Sequence, residues 1–98
     1  MRIIAKSTLV KYGEKYGSRA QKQLRAWYEE AKEAEWRNSQ DILKRYNEAK
    51  IINNETVIFK ICDNYYRLVV KIFYPGQEVY IKFFGTHAEY DRLDLKDL

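Results

Sequence analysis

Two turn-type dipeptides, Asp63-Asn64 and Pro75-Gly76, cut the stretch from Thr56 to Phe84 into three runs dense in β-branched and aromatic residues. These are Val57 to Cys62, Tyr65 to Tyr74 and Glu78 to Phe84, and the short joins make two hairpins in series. Side chains on a strand alternate between faces. One set, Val57, Phe59, Ile61, Tyr66, Leu68, Val70, Ile72, Val79, Ile81 and Phe83, is almost wholly apolar and is expected to face a core. The other set mixes aliphatics and Cys62 with Lys60, Arg67, Lys71, Phe73, Tyr80, Lys82 and Phe84, and is too charged for a core.

A two-residue loop at Asp63-Asn64 puts Cys62 across from Tyr65 and Lys60 across from Arg67. Facing like charges destabilise a sheet. A loop at Pro75-Gly76 pairs Lys71 with Tyr80, Lys82 with Val69 and Arg67 with Phe84. Pro-Gly suits a type II turn better than the primed turns of tight hairpins, which leaves room for a bulge or longer loop that shifts this pairing.

Upstream, the pattern predicts the cover for the apolar face. Residues 2 to 5 form an edge strand, and Ser7 caps a helix that ends near Gly17 with Leu9, Tyr12 or Gly13, and Tyr16 inward. Ser18 and Gln21 have capping-box spacing, and Leu24, Trp27, Tyr28, Ala31 and Ala34 make one stripe of a second helix. Ser39 caps a short third helix, and residues 47 to 55 read as a loop. Gly85 ends the last strand, Thr86 and Glu89 box a final short helix carrying His87 and Tyr90 on one side, and the tail is free to fray. At 98 residues the chain is one α+β domain, residues 1 to 98, with N-terminal helices on one face of a small antiparallel sheet.

The net charge of +4 permits a polyanionic partner without requiring one. What matters is placement, since the outer strand face carries Lys60, Arg67, Lys71 and Lys82 and no acids. Cys62 is the only cysteine, which excludes an intramolecular disulfide, a CxxC motif and a cysteine-based zinc site. No metal or cofactor is expected, and a reducing cytoplasm fits. Neither a secretory h-region nor an apolar run of about 20 residues is present, so no membrane insertion is expected.

Such a face suits RNA, which is cleaved without metal when its own 2′-hydroxyl attacks the adjacent phosphate. His87 can serve as acid or base near neutrality. Tyr90 can join the proton transfer if nearby cations lower its pKa. Arg67 offers a planar fork to phosphate, with Lys82 beside it and Lys60 and Lys71 as supporting charges. Tyr80, Phe84 and Tyr65 can stack bases, worth roughly 1 to 3 kcal/mol each. The competing reading is structural: cations on a strand face are usually solvated or discourage edge pairing, and a lone histidine after a strand is more often a surface residue.

The runs AWYEEAKEAEWRNSQDI (26 to 42), VIFKICDNYYRLVVKI (57 to 72) and VYIKFFGTHAEYDRLD (79 to 94) resemble the HigB family of type II toxins, within the RelE and ParE superfamily. The resemblance implies a RelE-like fold and an mRNA endoribonuclease, often acting on translating ribosomes. It also implies a helix-turn-helix antitoxin of the HigA kind encoded nearby. The family's basic strand position falls on Arg67, and its terminal motif on Thr86, His87, Tyr90 and Asp91. Relatives often carry Phe-Asn-Ile where this chain has Phe59-Lys60-Ile61. Catalytic residues vary across the superfamily, so the identity of the base stays open. The rival class is a non-catalytic module that grips a protein target, as the DNA gyrase-directed branch does.

Overall fold

The computed structural model describes residues 1–98. In chain order it runs β1 (Arg2–Ile4), α1 (Lys6–Tyr16), α2 (Ser18–Glu33), α3 (Ser39–Arg45), β2 (Lys50–Ile51), β3 (Thr56–Ile61), β4 (Tyr66–Phe73), β5 (Glu78–Thr86) and α4 (His87–Asp91). A 3₁₀ turn, Leu95–Asp97, follows. The five strands form one sheet in the order β1-β5-β4-β3-β2. The hairpins are antiparallel and β1 joins β5 in parallel, so the sheet is mixed and the fold is α+β. No helix is long and apolar enough to cross a membrane.

The helical layer follows the apolar spacing. Leu24, Trp27 and Ala31 of α2 and Leu9 and Gly13 of α1 are buried. Gly17 takes a φ of +102° between the helices, a left-handed turn that side-chain-bearing residues rarely adopt. The caps differ from expectation. Neither α1 nor α2 has a side-chain cap, so Ser7 and the Ser18/Gln21 box do not act, and Asn38 rather than Ser39 caps α3 by accepting from the Asp41 N–H. Residues expected as loop before the sheet contribute β2, which pairs with β3.

The helices cover the predicted apolar face. Phe59 is the hub, with ring centroids of Trp27 at 5.3 Å, Tyr46 at 5.0 Å and Trp36 at 6.0 Å. The first hairpin keeps Lys60 across from Arg67, but its loop spans four residues, with Cys62 and Asp63 at positive φ. Cys62 therefore leaves the outer face, and its thiol is buried beside the Arg19 carbonyl at 3.8 Å.

The second hairpin departs at one point, and the departure reorders its end. Lys71 pairs with Tyr80 as expected, but a bulge opposite Val69 and Val70 absorbs Lys82. From there the alternation flips, as an extra residue in one strand requires. Phe83 pairs with Val69 on the outer face, and Phe84 turns inward at 2% exposure. Rings of Tyr66, Tyr16 and Tyr12 surround Phe84 at 5.1, 5.3 and 5.6 Å. The assignment of Phe84 to a base-stacking surface is thus overturned by a ready-made aromatic socket that one extra residue in β5 makes reachable.

The outer face is not fully open either. Ile58 and Val69, paired in the middle of it, are 1% and 0% exposed, and flanking strands alone do not hide side chains so completely. The C-terminal segment reaches this face at Lys71, whose ammonium donates to the Leu98 carbonyl at 2.7 Å, and Leu93, Leu95 and Leu98 are half-buried.

The α4 start is as spaced. Thr86 Oγ1 accepts from the Glu89 N–H at 3.1 Å, and Glu89 Oε1 accepts from the Thr86 N–H at 2.8 Å. Tyr16 O–H donates to the same oxygen at 2.8 Å, tying α4 to α1. The Thr86 backbone N–H foremost, then Tyr16, holds the Glu89 carboxyl below its ordinary pKa. A depressed carboxylate stabilises the fold above its unfolded pKa, and that contribution is lost as pH falls through the lower folded value. Glu89→Gln, which keeps an acceptor but cannot titrate, is expected to flatten the acid limb of a thermal-stability profile below about pH 4.3. Unchanged acid sensitivity in that variant would place the titrating group elsewhere.

Candidate active site

At one end of the sheet the bulge puts Gly85, not Phe84, across from Arg67. Gly85 leaves room there: a Cβ on it would come within 2.7 Å of Phe83 Cζ and 3.1 Å of Glu89 Oε1. Arg67 is 8% exposed, and its Nη1 donates to the Asn64 carbonyl at 2.9 Å, anchoring the guanidinium on the β3–β4 loop. A guanidinium has five N–H groups. None of those on Arg67 is both buried and unpartnered, so the donors not used by Asn64 reach the surface.

The α4 helix brings the other chemistry to the same end. The His87 backbone N–H donates to the Tyr65 carbonyl at 3.0 Å, pinning the start of α4 onto the β3–β4 loop. Its imidazole is exposed, with Nδ1 3.6 Å from Asp91 Oδ2 one turn on. The i, i+4 spacing of His87 and Asp91 on α4 is the sequence signal that pairs them. At that distance the carboxylate lies beside the imidazole without a formed hydrogen bond.

Tyr90 behaves opposite to expectation. Burial pushes its pKa up, and the Arg67 charge pulls it only part of the way back while Asp91 pushes it further up. Its phenol therefore stays protonated at neutral pH, which makes it a hydrogen-bond donor and disqualifies it as a base.

The remaining sequence-predicted residues divide by position. Lys60 projects into solvent beside Arg67. Lys82, in the bulge, is exposed and lies 6.0 Å from the Tyr80 ring, directed along the face away from Gly85. Lys71 is four residues from Arg67 along β4, roughly 13 Å on an extended strand, and is engaged by the Leu98 carbonyl and, at 4.0 Å, by Glu55. Tyr80 lies across from Lys71, and its hydroxyl donates to Glu78 at 3.2 Å. Tyr65, 62% exposed, borders the Arg67 end. Arg67, His87, Tyr90 and Lys60 thus lie at one end of the sheet, and Lys71, Tyr80, Phe84 and the Lys82 ammonium do not.

Nowhere in the fold do three or more His, Cys, Asp or Glu side chains converge as a metal-binding group. The site consists of an anchored guanidinium, an exposed imidazole beside a carboxylate, a protonated phenol and a free ammonium at a sheet end, an array suited to gripping a phosphate and moving a proton beside it.

No curated protein matches the chain. The family model of HigB toxins, described as the RelE-like toxic component of a toxin-antitoxin system, matches residues 20–93, which take in most of α2, all three long strands and α4. With that match over most of its length, and with the α+β fold in which helices back a sheet whose far end gathers Arg67, His87 and Tyr90, the chain belongs to the HigB family of RelE-like toxins, the toxic partner of an antitoxin.

Proposed function

We propose that this toxin is a metal-independent mRNA endoribonuclease that arrests translation by cutting message on the ribosome in the cytoplasm, and that its antitoxin is a helix-turn-helix protein of the HigA kind. The observation that carries the reading is the convergence of the Arg67 guanidinium, partly free for phosphate, with the exposed His87 and the protonated Tyr90 at one sheet end. In the reaction, His87 takes the proton from a 2′-hydroxyl, and the 2′-oxygen attacks the adjacent phosphorus. Arg67 donates to the phosphate oxygens as charge builds on them, with Lys60 and Lys82 attracting the flanking backbone. The bond to the 5′-oxygen then breaks, and Tyr90 supplies the proton to that leaving oxygen. The products are a 2′,3′-cyclic phosphate and a 5′-hydroxyl, and solvent returns His87 and Tyr90 to their starting states.

Asp91 holds the imidazole in place, and Tyr65 offers a ring to an unstacked base. A shallow site at a sheet end, with few side chains to order a flexible strand, suits a substrate already threaded by a larger machine, and this favours message held on a ribosome. The test is cleavage of message in a purified translation mixture and of free RNA, with chelator present only in the latter because ribosomes need magnesium. Arg67→Ala is expected to lower cleavage by roughly 10²-fold or more, and Arg67→Lys is expected to restore only a small part because the fork is lost. Circular dichroism checks that the β3–β4 loop survives the loss of the Asn64 contact. Full cleavage by the alanine variant removes Arg67 from the site, and no cleavage by the unaltered toxin even with ribosomes favours the protein-gripping class.

A further inference from the structure

Away from the sheet end, α1 and α2 leave a groove of about 320 Å³ between them. Its floor is apolar, built from Leu9, Leu24 and Tyr28, and Val10 stands beside it at 43% exposure, one of only three large hydrophobic side chains left so open. The rim is charged, with Lys6 and Arg25 on it and Glu29 as its one acid. Lys6 Nζ lies 5.1 Å from the Tyr28 ring centroid, so the ammonium sits over the groove edge.

The charge around this groove is one-sided. From Lys6 to Arg25 the helical hairpin carries Lys6, Lys11, Lys15, Arg19, Lys22 and Arg25 against Glu14 alone, all of them exposed. Only Arg19 among these cations has an ion-pair partner, Asp63 at 3.5 Å. An apolar trough with exposed aliphatic side chains and a basic rim is complementary to an amphipathic helix whose apolar stripe fills the trough and whose flanks carry carboxylates. RNA would satisfy the cations but would leave Leu9, Val10 and Leu24 without a use, since bases stack on aromatic and guanidinium planes.

We propose that this α1–α2 groove seats an acidic amphipathic helix of the antitoxin, with apolar residues packed against Val10 and Leu24 and carboxylates on Lys6 and Arg25. The helix is neutral or basic where it passes Glu29, which fixes its direction. The inference rests on the chain being the toxin of an antitoxin pair and is independent of the nuclease reading, because its readout is binding and not cleavage.

The experiment uses the full-length toxin and the antitoxin encoded beside it, each purified, with affinity measured by calorimetry. Val10→Asp places a like charge under the incoming helix at a solvent-exposed position, and Arg25→Glu reverses the rim. Each is expected to weaken antitoxin binding at least tenfold while the melting temperature and RNA cleavage of the free toxin stay unchanged. Antitoxin affinity within twofold of the unaltered toxin in both variants overturns the proposal. So does a result in which Arg25→Glu weakens only RNA or ribosome binding, which makes the groove part of a nucleic-acid surface. A shift in sedimentation of the free toxin on Val10→Asp, with antitoxin binding retained, overturns it in favour of a second copy of the chain.

Discussion

His87→Ala toxin is expected to cleave RNA about 10² to 10⁴ times more slowly than the unaltered protein, the range spanned by one general acid or base. The imidazole is exposed, and its Nδ1 meets only the exposed Asp91 carboxylate, so removing it should leave the melting temperature almost unchanged. The backbone bond from His87 N–H to the Tyr65 carbonyl does not depend on the side chain, and α4 keeps its Thr86 and Glu89 cap. Loss of rate with intact folding and intact RNA affinity is therefore the signature of proton transfer. Asp91→Asn should cost less, because it removes orientation and not the proton carrier. A His87→Ala toxin that cleaves at full rate would return the imidazole to the role of a surface residue after a strand.

Phe84→Ala is expected to cost about 3 to 5 kcal/mol of stability, the range for emptying a large buried aromatic site. For a domain of this size that lowers the melting temperature by roughly 12 °C or more. Its ring fills the space among Tyr12, Tyr16 and Tyr66, and three tyrosines anchored on α1 and β4 cannot collapse together to close the gap. A base-stacking Phe84 on the outer face would give the opposite pattern, with RNA affinity down by about 1 to 3 kcal/mol and thermal stability kept. Denaturation and RNA titration at a temperature where the variant is still folded separate the two outcomes.

The neighbouring pair Phe83-Phe84 explains why alternation misplaced this residue. Both are apolar and aromatic, so a pattern of period two reads equally well with either one inward, and the extra residue in β5 that decides between them has no local signature beyond the unsuitability of Pro75-Gly76 for a tight hairpin. The same limit applied to Ile58 and Val69. Their place on the charged face was legible, but their near-complete burial there was not, since strand periodicity does not say what covers a face. Tyr90 was legible as part of the last helix, on the side of His87, yet the direction of its pKa depends on how much solvent the fold removes, a quantity that spacing does not contain.

By itself the chain of letters determined the three long strands, the faces of Val57 to Ile61 and of Tyr66 to Ile72, the pairing of Lys60 with Arg67, the helical cover and the Thr86–Glu89 cap, because each follows from periodicity or a turn within a few residues. The tertiary structure alone decided which phenylalanine enters the core, that Gly85 faces Arg67, that Lys71 is held by the tail, and that burial keeps the proton on Tyr90. Those outcomes depend on packing between segments far apart in sequence. Burial and register across such distances are set by the best joint fit of many side chains, and no local pattern records that fit.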